Sequence, residues 1–259
     1  MKLNIVPART GIQWVKLGVK TFMKQPLALT GLFFMYMAVV LVISQLPVVG
    51  VVLGAMLVPA ATLGLMAATA EAAAGRFPMP TVLLSAFRAG RQRARAMLVL
   101  GAIYMAGSLV ATLLGSMIAG APAADAQAPQ VDARTLLILV LHFPLVVLFW
   151  HAPALVHWHG VSPIKSLFFS AVACMRNAGA MLMYGFAWVA LFLSVGFVFS
   201  TIGLMLGGPT VAKSIMMPTV LLLVAMFTTS LYFTFRDSFR ADDEPGPTPD
   251  IAPGGGDTP

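Results

Sequence analysis

Six stretches of about 20 or more mostly apolar residues, each long enough to cross ~30 Å of hydrocarbon, divide the chain and leave room for few other architectures. They run approximately Leu27 to Leu46, Val48 to Ala70, Met97 to Ala119, Leu136 to Trp158, Ala178 to Leu206 and Ile215 to Phe235. A chain that is 59% hydrophobic and only 10% charged falls well outside the usual soluble range, in which about a quarter of residues are charged. The spacing therefore predicts an all-α, polytopic membrane protein with six transmembrane helices arranged as three hairpins. Residues 1–26 read as an N-terminal cytoplasmic amphipathic helix, 27–236 as the transmembrane domain and 237–259 as a disordered cytoplasmic tail, acidic and then rich in Pro and Gly.

The connections fit this partition. Gln45, Leu46 and Pro47 leave only a tight turn between the first two spans, and Gly207, Gly208, Pro209 and Thr210 place strong breakers between the last two. Residues 120–133 read as a flexible polar loop. The basic residues mark sidedness, because Lys and Arg are retained on the cytoplasmic face. Fourteen of the 16 Lys and Arg residues fall on the side of the N-terminus, and Arg134 and Lys213 alone fall on the other. Both termini are accordingly expected in the cytoplasm, at a bacterial inner membrane. The first basic segment lacks a short apolar core ending in a small-residue cleavage site, so it does not read as a cleavable signal peptide.

Each odd-numbered span follows a short amphipathic stretch. In the first, Ile12, Val15, Val19 and Phe22 share one helical face, opposite Gln13, Lys16, Lys20 and Lys24. In the second, after Pro80, Leu83, Leu84 and Phe87 oppose Arg88, Arg91 and Arg95. In the third, after Pro163, Ile164, Leu167, Phe168 and Ala171 oppose Lys165, Ser166 and Ser170. These helices are expected to lie on the membrane with Lys16, Lys20, Lys24, Arg88, Arg91 and Arg95 among anionic lipid headgroups. The net charge of +7 is explained in this way, and nucleic acid is not an expected partner, since no recognised nucleic-acid motif accompanies it.

Chemistry has little foothold. No Asp or Glu lies in the middle of a span, whereas ion-coupled transporters keep buried ionisable groups. Glu71 sits at the end of the second span, where Arg76 or the Arg88 to Arg95 cluster can neutralise it. His142, His151, His157 and His159 cluster in or after the fourth span without the i, i+3 or i+4 spacing of a metal site, and Cys174 is the single cysteine. Pro144 and Pro153 free backbone carbonyls in that span, to which a neutral imidazole could donate. No phosphate-binding glycine loop, nucleophile motif or zinc-protease motif is present. No catalytic residue, cofactor or metal is expected. Small residues four apart, such as Gly50 and Gly54, Ala60 and Gly64, and Ala111 and Gly115, predict close helix packing for the second and third spans.

One segment carries a resemblance. Ala152, Pro153, Ala154 and Leu155, then Gly160, Ser162 and Pro163, then Ser170, Arg176 and Asn177 resemble an uncharacterised family of bacterial six-span inner-membrane proteins, itself similar to the membrane domain joined to some glycerophosphoryl diester phosphodiesterases. The resemblance implies a multispan helical module and supplies no activity. Physically, Pro153 is expected to bend the fourth span, Ser162 to cap the third amphipathic helix with Pro163 at its first position, and Arg176 with Asn177 to anchor the interface. The expected function is non-enzymatic, the organisation of lipids or partner proteins. The alternative is a passive channel or permease whose path is lined by Ser44, Gln45, His142 and His151.

Overall fold

The computed structural model describes residues 2–119 and 133–240. The chain starts with a two-residue strand, β1 (Lys2–Leu3), and continues through α1 (Thr10–Lys24), α2 (Pro26–Ser44) and α3 (Val49–Ala73). A 3-10 turn at Pro80–Leu84 and a single helical turn, α4 (Ser85–Arg88), lead into α5 (Arg91–Ala119). Then come α6 (Ala133–Phe149), α7 (Ala152–His159), α8 (Pro163–Arg176), α9 (Ala178–Ser238) and β2 (Phe239–Arg240). Among the described residues, five helical segments are long and apolar enough to cross a membrane, with α6 and α7 counted together. Of the expected loop 120–133 and tail 237–259, residues 120–132 and 241–259 lie outside the described residues, while Ala133 opens α6, Asp237 and Ser238 end α9, and Phe239–Arg240 form β2.

α9 has 61 residues but is not one rod. Gly207 (φ −171°, ψ 23°) and Gly208 (φ 72°, ψ −162°) interrupt it, and only glycine adopts the second conformation without strain. The chain reverses there. Gly203 packs so closely on Ala212 that an added Cβ would lie 2.5 Å from the Ala212 Cα, and the Trp188 ring lies 5.5 Å from that of Phe227. The two arms of α9 thus run side by side.

The packing elsewhere also alternates in direction. α3 lies against α5 with Gly101 under the Met56 carbonyl, and α5 lies against α6 with Gly107 on Leu145 and Gly115 on Ile138. These glycines allow backbone approach where lipid supplies no hydrophobic drive between helices. α3 is the most enclosed of the apolar helices, with 39% of its most apolar window buried against 22% or less for the others. Gly64 and Ala60 face neighbours, as the small-residue spacing predicts, while Gly54 faces open space.

Two expectations about amphipathic segments are corrected. α1 is not a free surface helix, since it stands in the groove between the arms of α9. Its buried face is Thr10, Gly11, Trp14, Val15, Gly18, Thr21 and Phe22, while Ile12 is exposed. Gly11 abuts the backbone of Ala180 and Tyr184, and Gly18 abuts Ser230. The hydrophobic periodicity found part of this face, Val15 and Phe22, and missed Trp14 and the small residues Gly11 and Gly18 that complete it. In the second segment, Arg91 and Arg95 do not share a surface helix with Arg88. A break at Gly90 (φ 98°) places them in the first turns of α5, and only Arg88 lies on the short α4.

Candidate functional site

Several described polar groups that bond beyond their own helix gather at one junction, where the fourth apolar segment bends, α8 packs against it, and the N-terminal segment docks. The bend falls at Trp150 and His151, just ahead of Pro153. A proline lacks the N–H that would bond the carbonyl four residues back, and here the ladder is also opened by a side chain. In a regular helix His151 N–H would donate to Val147 C=O. Instead His151 N–H donates to Ser170 Oγ at 3.0 Å, and Ser170 Oγ donates to the Val147 carbonyl at 2.9 Å. The hydroxyl stands in for the missing rung. A side chain inserted into the ladder is one of the few causes of a sharp kink, and Ser170 is fully buried there.

Cys174, one turn further along α8, points its thiol at the same carbonyl, 3.8 Å away. Burial pushes this thiol up to about 12, so it is a packed group rather than a nucleophile. The His151 imidazole is enclosed by Phe235 and Phe239, at centroid distances of 6.1 and 5.5 Å. Neither of its ring nitrogens has a hydrogen-bond partner among the described residues.

The remaining motif residues complete the junction. Gly160 ends α7 in the left-handed conformation (φ 65°), and Pro163 opens α8 at its first position. Ser162 precedes α8 with extended backbone, but its side chain makes no capping bond, which corrects the expected hydroxyl cap. Arg176 is exposed in the last turn of α8. Asn177 is 2% exposed and does what the sequence did not reveal. Its Oδ1 accepts Val6 N–H at 2.9 Å, and its Nδ2 donates to the Asn4 carbonyl at 3.1 Å. The amide pairs the extended N-terminal segment as a strand would. That segment is also held to the far end of α9. Asn4 N–H donates to Ser238 O, Asn4 Nδ2 donates to Asp237 O, and Lys2 and Leu3 pair with Arg240 and Phe239. Trp14 Nε1 donates to Asp237 Oδ2 at 2.9 Å, and Arg236 binds the other carboxylate oxygen at 2.8 Å. The start of the chain is thus fastened to both ends of α9, a long-range arrangement with no local signature.

The residues suggested for a solute path do not converge. Ser44 and Gln45 both donate to the Leu41 carbonyl at an exposed turn. His142 bonds Ile138 O through Nδ1 and Ser108 Oγ through Nε2. A carbonyl only accepts, so Nδ1 carries the proton and the serine hydroxyl donates to Nε2. His151 lies nine positions further along, at the kink. Among the described residues, no three His, Cys, Asp or Glu side chains are placed to share a metal ion. Glu71 pairs with Arg76, the first of its two expected partners.

The surface offers grooves. One of about 770 Å³ lies between α6 and the first arm of α9, lined by Phe143, Val146, Trp150, Leu182, Phe186 and Trp188 among others, with hardly a polar atom in its walls. A second, of about 510 Å³, lies between α1 and the same arm, with Lys16 and Lys20 in its wall. Lys24, Arg88, Arg91 and Arg95 are exposed elsewhere on the molecule.

Comparison with known proteins gives one firm relation. The chain is 34% identical over 261 aligned positions to a probable inner membrane protein of Burkholderia thailandensis, covering 95% of this chain and 96% of that one. No family profile matches the chain, and no solved structure does.

Proposed function

Because the chain belongs to the same family as the probable inner membrane protein of Burkholderia thailandensis, we propose that this integral, multi-pass protein is a non-enzymatic organiser of lipids in a bacterial inner membrane. In this reading it crosses the bilayer six times, the two arms of α9 each making one crossing, with both termini and the basic residues on the cytoplasmic side. The fourteen-to-two distribution of Lys and Arg supports that orientation. The likeness of residues 152–177 to an uncharacterised six-span inner-membrane family, itself similar to the membrane domain joined to some phosphodiesterases, belongs to the same reading, in which the chain would serve as a lipid-contacting scaffold.

The observation that carries the proposal is the apolar groove of about 770 Å³ between α6 and α9, set beside a bundle in which several interior polar side chains are spent on one another. Ser108 meets His142, Tyr184 and Trp188 both meet Ser230, and Trp150 meets Thr234. A solute path needs polar groups facing a shared cavity. Apolar grooves beside crossing helices suit acyl chains instead.

Reconstitution into vesicles of phosphatidylethanolamine and phosphatidylglycerol tests the reading. The expected result is anionic lipid enriched around the protein, measured by energy transfer from its tryptophans to labelled phosphatidylglycerol, with osmotic swelling in small solutes no faster than in empty vesicles. Rapid swelling without lipid enrichment would favour the channel or permease.

A further inference from the structure

Two cations, Lys16 and Lys20, share the wall of an apolar groove. Of the nine Asp and Glu residues in the chain, only Glu71 and Asp237 are among the described residues, and both are engaged. Glu71 holds Arg76, and Asp237 holds Arg236 and the Trp14 indole. Among the described residues, therefore, no carboxylate is left for Lys16 and Lys20. These two stand in the wall of the groove between α1 and the first arm of α9, opposite Ala187, Ala190, Leu191 and Ser194 of an apolar crossing helix. They are one turn apart on the same face, and side chains at that spacing are roughly 5–6 Å from each other at Cβ. Both ammonium groups can reach a single phosphate. The rest of α1's share of the groove is Ile12, Val15 and Val19. Its edges are fixed, because Gly11 and Gly18 lock α1 against Ala180 and Ser230.

A pair of cations with no carboxylate beside them among the described residues, above an apolar floor, selects an amphiphile with an anionic head. We infer that Lys16 and Lys20 hold the phosphate of one anionic phospholipid, with an acyl chain laid against Ile12, Val15, Val19, Ala187 and Leu191. This rests on the lipid-organising reading and deepens it, turning diffuse attraction to the leaflet into one defined site. A free phosphate would use the lysines but leave the floor bare.

The test is native mass spectrometry of the full chain released from micelles containing equal phosphatidylglycerol and phosphatidylethanolamine. The wild type should retain phosphatidylglycerol preferentially. Lys16→Gln with Lys20→Gln should lower that retention on the order of tenfold, with the melting temperature unchanged, since both side chains are exposed. Ala190→Phe, which keeps both lysines but fills the groove, should lower it comparably. Arg88→Gln with Arg91→Gln and Arg95→Gln should leave it intact. Retention undisturbed by the lysine pair or by Ala190→Phe would overturn the inference, as would displacement of the lipid by inorganic phosphate as readily as by lysophosphatidylglycerol. If the arginine variant alone abolished retention, the lipid-organising reading would stand and this site would fall. If the wild type showed no preference for the anionic lipid, both would fall.

Discussion

Ser170 is the side chain on which the shape of the fourth apolar segment turns. Its hydroxyl serves both the Val147 carbonyl and the His151 N–H, and in hydrocarbon neither would find water if it were removed. Ser170→Ala should therefore destabilise the protein by about 1–3 kcal/mol, seen as a lower melting temperature, whereas Ser166, which bonds only the Pro163 carbonyl of its own helix, should tolerate alanine far better. The pattern Ser170 through Asn177 was visible in the sequence, but its role was not, because a hydroxyl that replaces a rung in another helix has no periodicity of its own. Asn177 teaches the same point. Its amide clamps Asn4 and Val6 from 171 or more positions away, so the sequence presented it only as an anchor. Asn177→Asp keeps the acceptor for Val6 and loses the donor to Asn4, and should speed amide exchange at the N-terminal segment less than Asn177→Ala does. Cys174, with its thiol pushed up to about 12 by burial, holds almost no thiolate at neutral pH. It should react with iodoacetamide at pH 8 only slowly in the folded protein and rapidly after denaturation.

Elements are held together here by what side chains leave out. A Cβ at Gly18 would come within 2.4 Å of Ser230, and one at Gly203 within 2.5 Å of Ala212. Gly18→Val should push α1 out of its groove and expose it to limited proteolysis, while Gly203→Val should spread the arms of α9 and lower stability without freeing α1. Apolar length located the helices well. Pro26–Ser44 and Val49–Ala73 lie within a few residues of the stretches read from hydropathy, and Gly207 with Gly208 fell where the breakers predicted. Orientation around each helix was read less well. In water the apolar face is the packed face, but three large apolar residues of α8, Ile164, Phe168 and Met175, point outward while Ser166, Ser170 and Ala173 pack inward beside Leu167. The usual rule fails for a physical reason, since lipid rewards burial of small and polar groups rather than of large apolar ones. α1 combines both patterns, burying Gly11 and Gly18 together with Trp14 and Phe22.

For the whole molecule, the account depends on α9 folding back at Gly207 and Gly208 to make two crossings, which brings the number to six and returns the C-terminal end to the side of α1. The contacts of Lys2 and Leu3 with Arg240 and Phe239 require the two chain ends to share a side, whichever side that is. In the proposed reading that side is the cytoplasm, on the distribution of basic residues. The deciding measurement is labelling of single cysteines, introduced at 125 and at 248 in a Cys174→Ser background, with a membrane-impermeant maleimide on intact and on permeabilised cells. Six crossings with cytoplasmic ends predict that position 125 labels in intact cells and that position 248 labels only after permeabilisation. Labelling of 248 in intact cells, or of 125 only after permeabilisation, would contradict the topology and the cytoplasmic placement of the lysine pair that depends on it.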